Sequence, residues 1–330
     1  MIVNRNIHYT NKELPFFKLK APKIDSIQDD ALSKNRVNLA VLRLDEIHRF
    51  IHGNKFFKLK YNLIDFLGSN FDRIVSFGGA YSNHLYALAA AGKYLGIETI
   101  GIVRGELKEP LNPVLSFARD CGMLLFACDR NEYRRKNEAK FREKLRERFG
   151  NVMILPEGGS NKRALLGCQE VVDFFDWRVS AHKKVVGVAC GTGATFAGIG
   201  LGIVRRWAER NEIGSMPSLL GVSVLKAPGY IERQVTSLWK QCSDEEKEML
   251  KLLDWRIEED FNGGGYAKTD PQLKSFMKEF ESRQSVPIEP VYTGKLMNAL
   301  FSLVGERKID AGSNILAIHT GGVYGSHVCL

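Results

Sequence analysis

The chain has little of what metal, redox or membrane chemistry requires. Its six cysteines (Cys121, Cys128, Cys168, Cys190, Cys242 and Cys329) form no Cys-x-x-Cys pair, and none of the seven histidines stands at a spacing suited to zinc. Most of the cysteines lie in apolar or strand-like surroundings, so reduced, buried thiols are expected and a metal site is not. No apolar run approaches the roughly 20 residues of a membrane-spanning helix, which excludes a helical membrane protein. Residues 1–10 lack the apolar core and small-residue cleavage site of a secretory signal, so a cytoplasmic location is expected. Internal repeats, low-complexity linkers and long heptad runs are missing too, which sets aside solenoids and coiled coils.

What remains is the composition of a globular protein. With 330 residues, 44% hydrophobic and 26% charged, the chain can build one large or two modest domains. A net charge of +9 would suit nucleic acid or a smaller anion. Much of the excess lies at 134–148, with eight basic and three acidic residues, while Phe141, Leu145 and Phe149 recur every fourth position. That pattern predicts one helix with a solvated basic side. Without an aromatic stacking platform or a binding motif, no nucleic-acid partner is expected, although a basic field can attract a small anionic substrate.

Residues 1–35 read as polar and irregular, interrupted by Pro15 and Pro22. Beyond them, strands are expected at 37–42, 73–77, 97–103, 123–127, 152–155, 185–189, 219–224 and 315–319. Helices are expected at 82–95, after Pro113, and at 134–148, 162–175, 194–210, 230–240, 244–252, 272–282 and 294–307. Short apolar strands alternating with helices are the pattern of right-handed βαβ units, so the fold class is α/β with parallel sheets. Two doubly wound units with a cleft between them are favoured over one large sheet, and cofactors bind such clefts at the carboxyl ends of strands.

Several loops carry candidate chemistry. In His52-Gly53-Asn54-Lys55-Phe56-Phe57-Lys58, two lysines stand one helical turn apart. Taken alone they are either solvated lysines opening an amphipathic helix or an amine nucleophile, Lys55, with Lys58 beside it to meet a phosphate. The loop Gly78-Gly79-Ala80-Tyr81-Ser82-Asn83-His84 opens a helix, where Ser82 either caps it or binds a carboxylate. His84 reads as helix surface or core. In Glu157-Gly158-Gly159-Ser160-Asn161, an N-cap at Ser160 or Asn161 explains most of the sequence.

Gly191-Thr192-Gly193-Ala194-Thr195 sits between an apolar strand and a small-residue helix and reads as a phosphate cradle, with a structural tight turn as the other reading. It closes with no Gly-Lys-Ser/Thr, and Phe196 occupies the place of the third glycine of a dinucleotide fingerprint, which argues against a nicotinamide-dependent oxidoreductase. Tyr292-Thr293-Gly294-Lys295 and His319-Thr320-Gly321-Gly322 each place a threonine at the end of a strand-like segment, where it can be a helix cap.

In this order, the lysine stretch, the Gly-Gly-x-x-Ser-Asn-His loop, the glycine-threonine loop, Tyr-Thr-Gly-Lys and His-Thr-Gly-Gly resemble the pyridoxal-phosphate enzymes that include D-cysteine desulfhydrase and 1-aminocyclopropane-1-carboxylate deaminase. The resemblance runs from about Val37 onward and implies the tryptophan-synthase-β-like fold, fold type II, with the cofactor cleft between two domains. It implies a large domain of residues 1–56 plus 167–330, a small one of residues 57–166, and a homodimer. It further implies that Lys55 carries pyridoxal 5'-phosphate covalently, that Lys58 and Gly191, Thr192, Gly193, Ala194 and Thr195 hold its phosphate, and that Asn83 bonds its 3'-oxygen. Ser82 would hold the substrate carboxylate, and Tyr266 and Tyr292 would line the reaction face.

Two stretches depart from the family pattern. Ala267-Lys268-Thr269-Asp270 stands where many relatives carry Gly-Leu-Pro-Asn, and Val323-Tyr324-Gly325 follows the last glycines. Thr293, at the family position facing the pyridine nitrogen, and Thr320 stand where the ring-opening deaminases carry glutamate and leucine. A threonine hydroxyl withdraws fewer electrons from the ring than a glutamate-held proton, which points to β-elimination from D-cysteine over opening of a cyclopropane. The alternatives are the ring-opening deaminase and a non-catalytic carrier of the cofactor or of a small anion. Lys55 is the leading base for the α-proton, with Tyr266 or Tyr292 as competitors.

Overall fold

The computed structural model describes residues 15–48, 51, 53–175, 184–210 and 216–323. Residues 1–10, His52, Tyr324, Gly325 and Cys329, all noted above, lie outside them. Each expected apolar run becomes a strand, and two edge strands join them. The strands are β1 (Ile24–Ile27), β2 (Asn38–Arg43), β3 (Arg73–Gly78), β4 (Glu98–Arg104), β5 (Leu124–Cys128), β6 (Val152–Ile154), β7 (Lys184–Cys190), β8 (Ser218–Ser223), β9 (Trp255–Glu258) and β10 (Asn314–His319).

They form two sheets, a six-stranded one in the order β1-β2-β10-β7-β8-β9 and a four-stranded one in the order β5-β4-β3-β6. The first sheet gathers strands from both ends of the chain, and the second uses four consecutive ones. Every pairing is parallel except β1 with β2. Continuous apolar strands such as β7 suit this arrangement because helices cover both faces of a parallel sheet.

The helices are α1 (Asp30–Lys34), α2 (Asn54–Leu67), α3 (Asn83–Leu95), α4 (Pro113–Asp120), α5 (Arg130–Arg134), α6 (Ala139–Phe149), α7 (Lys162–Cys168), α8 (Ala194–Arg210), α9 (Tyr230–Trp239), α10 (Asp244–Leu250), α11 (Pro271–Gln284) and α12 (Thr293–Gly305). The largest core cluster is continuous between the sheets: Leu42, Val188 and Ile318 from the first share it with Ile74 and Val103 from the second, and Phe56, Phe57 and Leu63 of α2 lie in it as well. Among the described residues, no helix is long and apolar enough to cross a membrane.

Three expectations are corrected. Residues 24–27 and 30–34 are not irregular: Ile27 is buried, Asp25 bonds Arg43, and β1 completes the sheet edge through backbone pairing that its polar composition conceals. β9 was likewise not expected, although Trp255-Arg256-Ile257-Glu258 alternates as an edge strand does. The basic segment is two helices rather than one. At about 100° per residue, a continuous helix would turn Tyr133 roughly 80° to 120° away from Phe141 and Leu145. The break between α5 and α6 lets all three enter the same cluster.

The expected helix at 162–175 also tightens into a 3-10 turn over Gln169–Phe174. α7 meets α2 at Gly167, where a Cβ would stand 1.8 Å from the Phe57 carbonyl oxygen. Replacing Gly167 with Ala should therefore lower stability by about 2–4 kcal/mol. Gly305→Ala, at a position with nothing within 4 Å of the added carbon, should change it by less than about 0.5 kcal/mol. Denaturant midpoints that shift equally for the two variants would contradict this packing.

Candidate active site

The lysine stretch is shaped by one close approach. Gly53 has φ +62°, and a Cβ there would lie 2.0 Å from the Thr320 carbonyl oxygen. Only glycine lets the chain pass under the loop after β10, where Asn54 N–H donates to that same carbonyl at 3.2 Å. The passage starts α2 with Lys55 in its first turn. Lys55 Nζ donates to Asn54 Oδ1 at 2.7 Å, and Asn54 Nδ2 donates to Thr195 Oγ1 at 2.8 Å. Lys58, one turn on, is buried and donates to Ser160 Oγ at 2.9 Å and Thr192 Oγ1 at 3.1 Å.

These lysines are not solvated charges. Burial draws Lys55 down to about 7, and the neighbouring Lys58 ammonium adds to the fall. Burial likewise draws Lys58 down to about 8. The reading of two lysines on a solvated helix face therefore fails.

Around them lies a cavity at the carboxyl ends of strands from both sheets. Lys55, Lys58, Ser82, Asn83, Gly191, Thr192, Gly193, Thr195, Tyr266 and Tyr292 line it together. Ala194, buried in the first turn of α8, is not on its wall, and neither are Thr293 and Thr320. Thr293 Oγ1 is engaged elsewhere, accepting from Glu289 N–H at 2.8 Å and lying within 3.3 Å of the Glu289 carboxylate. Thr320 is buried and meets α2 through its carbonyl.

Ser82 caps α3, its Oγ accepting from Leu85 N–H at 3.2 Å. Gly78 is what permits the turn, because a Cβ there would come within 2.4 Å of Ser82 Oγ. His84 Nε2 lies 2.8 Å from Ser76 Oγ, which also faces the Leu155 carbonyl at 3.1 Å. A carbonyl can only accept, so the Ser76 proton goes to Leu155 and His84 donates from Nε2. Nδ1 is thus a buried acceptor with no partner, and burial, reinforced by Lys58 and Lys55, holds the ring well below its ordinary value, neutral at pH 7.

Tyr266 and Tyr292 meet edge to face at 6.2 Å between ring centroids, and Lys55 Nζ lies 5.8 Å from the Tyr292 ring centre. Burial raises the phenol of Tyr266 and carries that of Tyr292 well above its ordinary value, so both stay protonated at neutral pH.

Sequence reasoning missed four contributors. Glu289 is buried and accepts backbone N–H bonds from Val291 at 2.8 Å, Tyr292 at 2.7 Å and Thr293 at 2.7 Å, which sets the start of α12 and the position of Tyr292. Lys295 is buried beneath the Gly263–Tyr266 turn and donates to the Gly265 carbonyl at 2.8 Å, anchoring Tyr266. Glu157 and Arg104, at the ends of β6 and β4, line the cavity. The loop after β6 also does more than cap: Asn161 caps α7, accepting from Ala164 N–H, while Ser160 serves Lys58. Its location beyond the carboxyl end of a parallel strand was the available signal.

The donors gathered at one end of the cavity are an ammonium, several hydroxyls and the first turn of the 17-residue α8, with no carboxylate among them. The family model for pyridoxal-phosphate dependent enzymes matches residues 30–321. The chain belongs to that family.

As a pyridoxal-phosphate enzyme it is similar to named proteins over most of its length. It is 28% identical over 309 residues to the bifunctional D-cysteine desulfhydrase/1-aminocyclopropane-1-carboxylate deaminase, mitochondrial, of Arabidopsis thaliana, covering 88% of this chain and 74% of that one. It is 24% identical over 279 residues to a D-cysteine desulfhydrase of Klebsiella pneumoniae, covering 82% of each. A solved structure described as an ACC deaminase homologue superposes with a TM-score of 0.76 at 25% identity, covering 93% of this chain and 91% of the other. The α/β fold with parallel sheets is that of fold type II, as the motifs implied.

The residues present fit the cofactor. Lys58 gives two of its three N–H groups to protein partners among the described residues, which leaves one for a phosphate. Gly191 keeps the cradle open, because a Cβ there would come within 3.1 Å of the Tyr292 ring. With Lys55 at about 7, trapping of an aldehyde on the cofactor-stripped protein by cyanoborohydride, mapped to Lys55 by mass spectrometry, should rise with pH through a midpoint near 7. Lys58→Met removes the neighbouring positive charge and should move that midpoint upward. A wild-type midpoint at the ordinary lysine value of about 10.4 would refute the depressed amine.

Proposed function

We propose that this enzyme catalyses β-elimination from a small amino acid, D-cysteine first among them, giving pyruvate, ammonia and hydrogen sulfide. The observation that carries the reading is the contrast on one wall between an amine drawn down to about 7 and two phenols raised above their ordinary value. At neutral pH the amine is the base and the phenols are donors.

Bound pyridoxal phosphate supplies the electron sink for the pair left when the α-C–H bond breaks. Lys58, Thr192 and the first turn of α8 hold its phosphate, and Asn83 orients its ring. Ser82 and the start of α3 take the substrate carboxylate. Lys55 Nζ, as a neutral amine, would accept the α-proton. Tyr266 and Tyr292 stay protonated and hydrogen-bond the departing sulfur.

The preference for elimination over ring opening also draws on Glu289. Its Oε1 accepts from Tyr292 and Thr293 N–H and its Oε2 from Val291 N–H, so it is occupied by backbone rather than free for a pyridine nitrogen. Among the described residues the one carboxylate on the cavity wall, Glu157, is held by Tyr133 and Lys136. A neutral ring suffices for a good leaving group and serves a carbon–carbon cleavage poorly. Ring opening of 1-aminocyclopropane-1-carboxylate is the second reading, favoured by the names of the relatives. The division into residues 1–56 plus 167–330 and 57–166 is supported by the two sheets, and the homodimer by family resemblance alone; sedimentation would test the latter.

The test is product analysis with D-cysteine, L-cysteine, D-serine and 1-aminocyclopropane-1-carboxylate side by side. Sulfide and pyruvate should form from D-cysteine, and Lys55→Ala should reduce turnover by at least about 1,000-fold. Borohydride reduction of the native protein should fix the cofactor on Lys55. Replacing both tyrosines with phenylalanine should cost about 10- to 100-fold in kcat. Efficient release of 2-oxobutyrate from the cyclopropane, with no sulfide from D-cysteine, would overturn the reading.

A further inference from the structure

Arg104 ends β4 on the cavity wall, and no carboxylate of the described residues pairs with it. Its Nη2 lies 3.5 Å from where a Cβ on Gly79 would stand, so the guanidinium sits beside the loop that opens α3. It also lies 5.8 Å from the ring centre of Tyr133, whose hydroxyl donates to Glu157 Oε1 at 2.8 Å. Among the described residues Glu157 is the one acid on the wall, and it is committed: besides Tyr133 it has Lys136 Nζ at 3.2 Å from Oε2. Lys136 stands over the same Tyr133 ring at 4.8 Å. Around Tyr133, beside the cavity, two cations thus stand against one anion, and the surplus charge is the guanidinium on the wall. The charges of Arg104 and Glu157 both act on the Tyr266 phenol, which faces the reacting end of the cavity.

An exposed arginine on a cavity wall, beside an aromatic ring and a glycine turn and without an acid partner among the described residues, can receive a planar or tetrahedral anion. The substrate α-carboxylate already has Ser82 and the start of α3, so the guanidinium has room for a second acidic group. Resting on the elimination reading above, we propose that Arg104 extends the substrates beyond D-cysteine to β-substituted amino acids whose leaving group carries a second anion: a phosphate, a sulfonate or a carboxylate. In such a substrate the bond from Cβ to the leaving atom breaks, the leaving group keeps the bonding pair and departs paired with Arg104, and the α-proton passes to Lys55. Water completes the release of pyruvate and ammonium.

The test compares acidic with neutral substrates on the holoenzyme. O-phosphoserine and S-carboxymethylcysteine supply the second anion, 3-chloroalanine does not, and each is assayed in both enantiomers for pyruvate release. In wild type, kcat/KM should favour an acidic substrate. In Arg104→Met the ratio of acidic to neutral kcat/KM should fall about 10- to 100-fold, chiefly through KM, and Arg104→Lys should recover part of it. An equal loss on both kinds of substrate would assign Arg104 to the α-carboxylate and overturn the proposal, as would an unchanged ratio. If 3-chloroalanine is eliminated and no acidic substrate is, the selection fails while elimination stands. If wild type releases pyruvate from none of them, the elimination reading itself falls and takes this inference with it.

Discussion

The structure depends on drawing two lysine amines away from water within one helical turn of each other, Lys58 buried and Lys55 half-buried. Desolvating a charge costs several kcal/mol unless partners replace the lost water, and like charges side by side add to that cost. Lys58 finds its partners in Ser160, beyond β6 of the smaller sheet, and in Thr192, beyond β7 of the larger one. A single buried side chain on α2 thereby fastens loops from both sheets to the same point. Lys55, hydrogen-bonded to Asn54 alone among the described residues, bears the remainder as a depressed proton affinity, which is what a reactive amine requires.

The arrangement around the lysines follows from small residues at a few points of contact. Gly53 brings α2 beneath the carbonyl of Thr320, Gly78 brings Ser82 to the cap of α3, and Gly167 brings α7 against the backbone of α2. None of these contacts admits a Cβ. Below them, buried polar groups hold the aromatic wall: Glu289 fixes Tyr292 through three backbone N–H groups, and Lys295 fixes Tyr266 through the Gly265 carbonyl. The wall therefore rests on charged residues that need not touch the reacting atoms.

Much of this was legible in the sequence where the signal is local. Apolar runs between amphipathic helices marked the parallel strands, and the glycine-threonine loop after β7 read as an anion cradle or a structural tight turn, of which the structure shows that it lines the cavity. The edge strands β1 and β9 escaped because an edge strand buries one face at most, so its alternation is short and mixed with charge. The break between α5 and α6 escaped because helical periodicity persists on either side, and only the burial of Tyr133 shows that two faces are involved. Glu289, Lys295, Arg104 and Glu157 look in sequence like the solvated charges found in every loop. What distinguishes Lys295, Arg104 and Glu157 is the neighbour each acquires from another part of the chain, and what distinguishes Glu289 is its burial against the backbone N–H groups that follow it. Thr293 shows the converse, a residue marked by its motif whose hydroxyl is claimed by Glu289.

The bond from Asn54 N–H to the Thr320 carbonyl joins the beginning of α2 to the loop after the last strand. Between those two residues lies nearly everything else that builds the cavity, so the site cannot close until β10 has docked between β2 and β7. Contacts of such long sequence separation form late, because the loop they close must lose its freedom before the contact returns any stability. During synthesis the smaller sheet, made of four consecutive strands, can be complete while the nascent chain is still incapable of holding its cofactor. Full competence waits until β10 has left the ribosome and paired with β2 and β7.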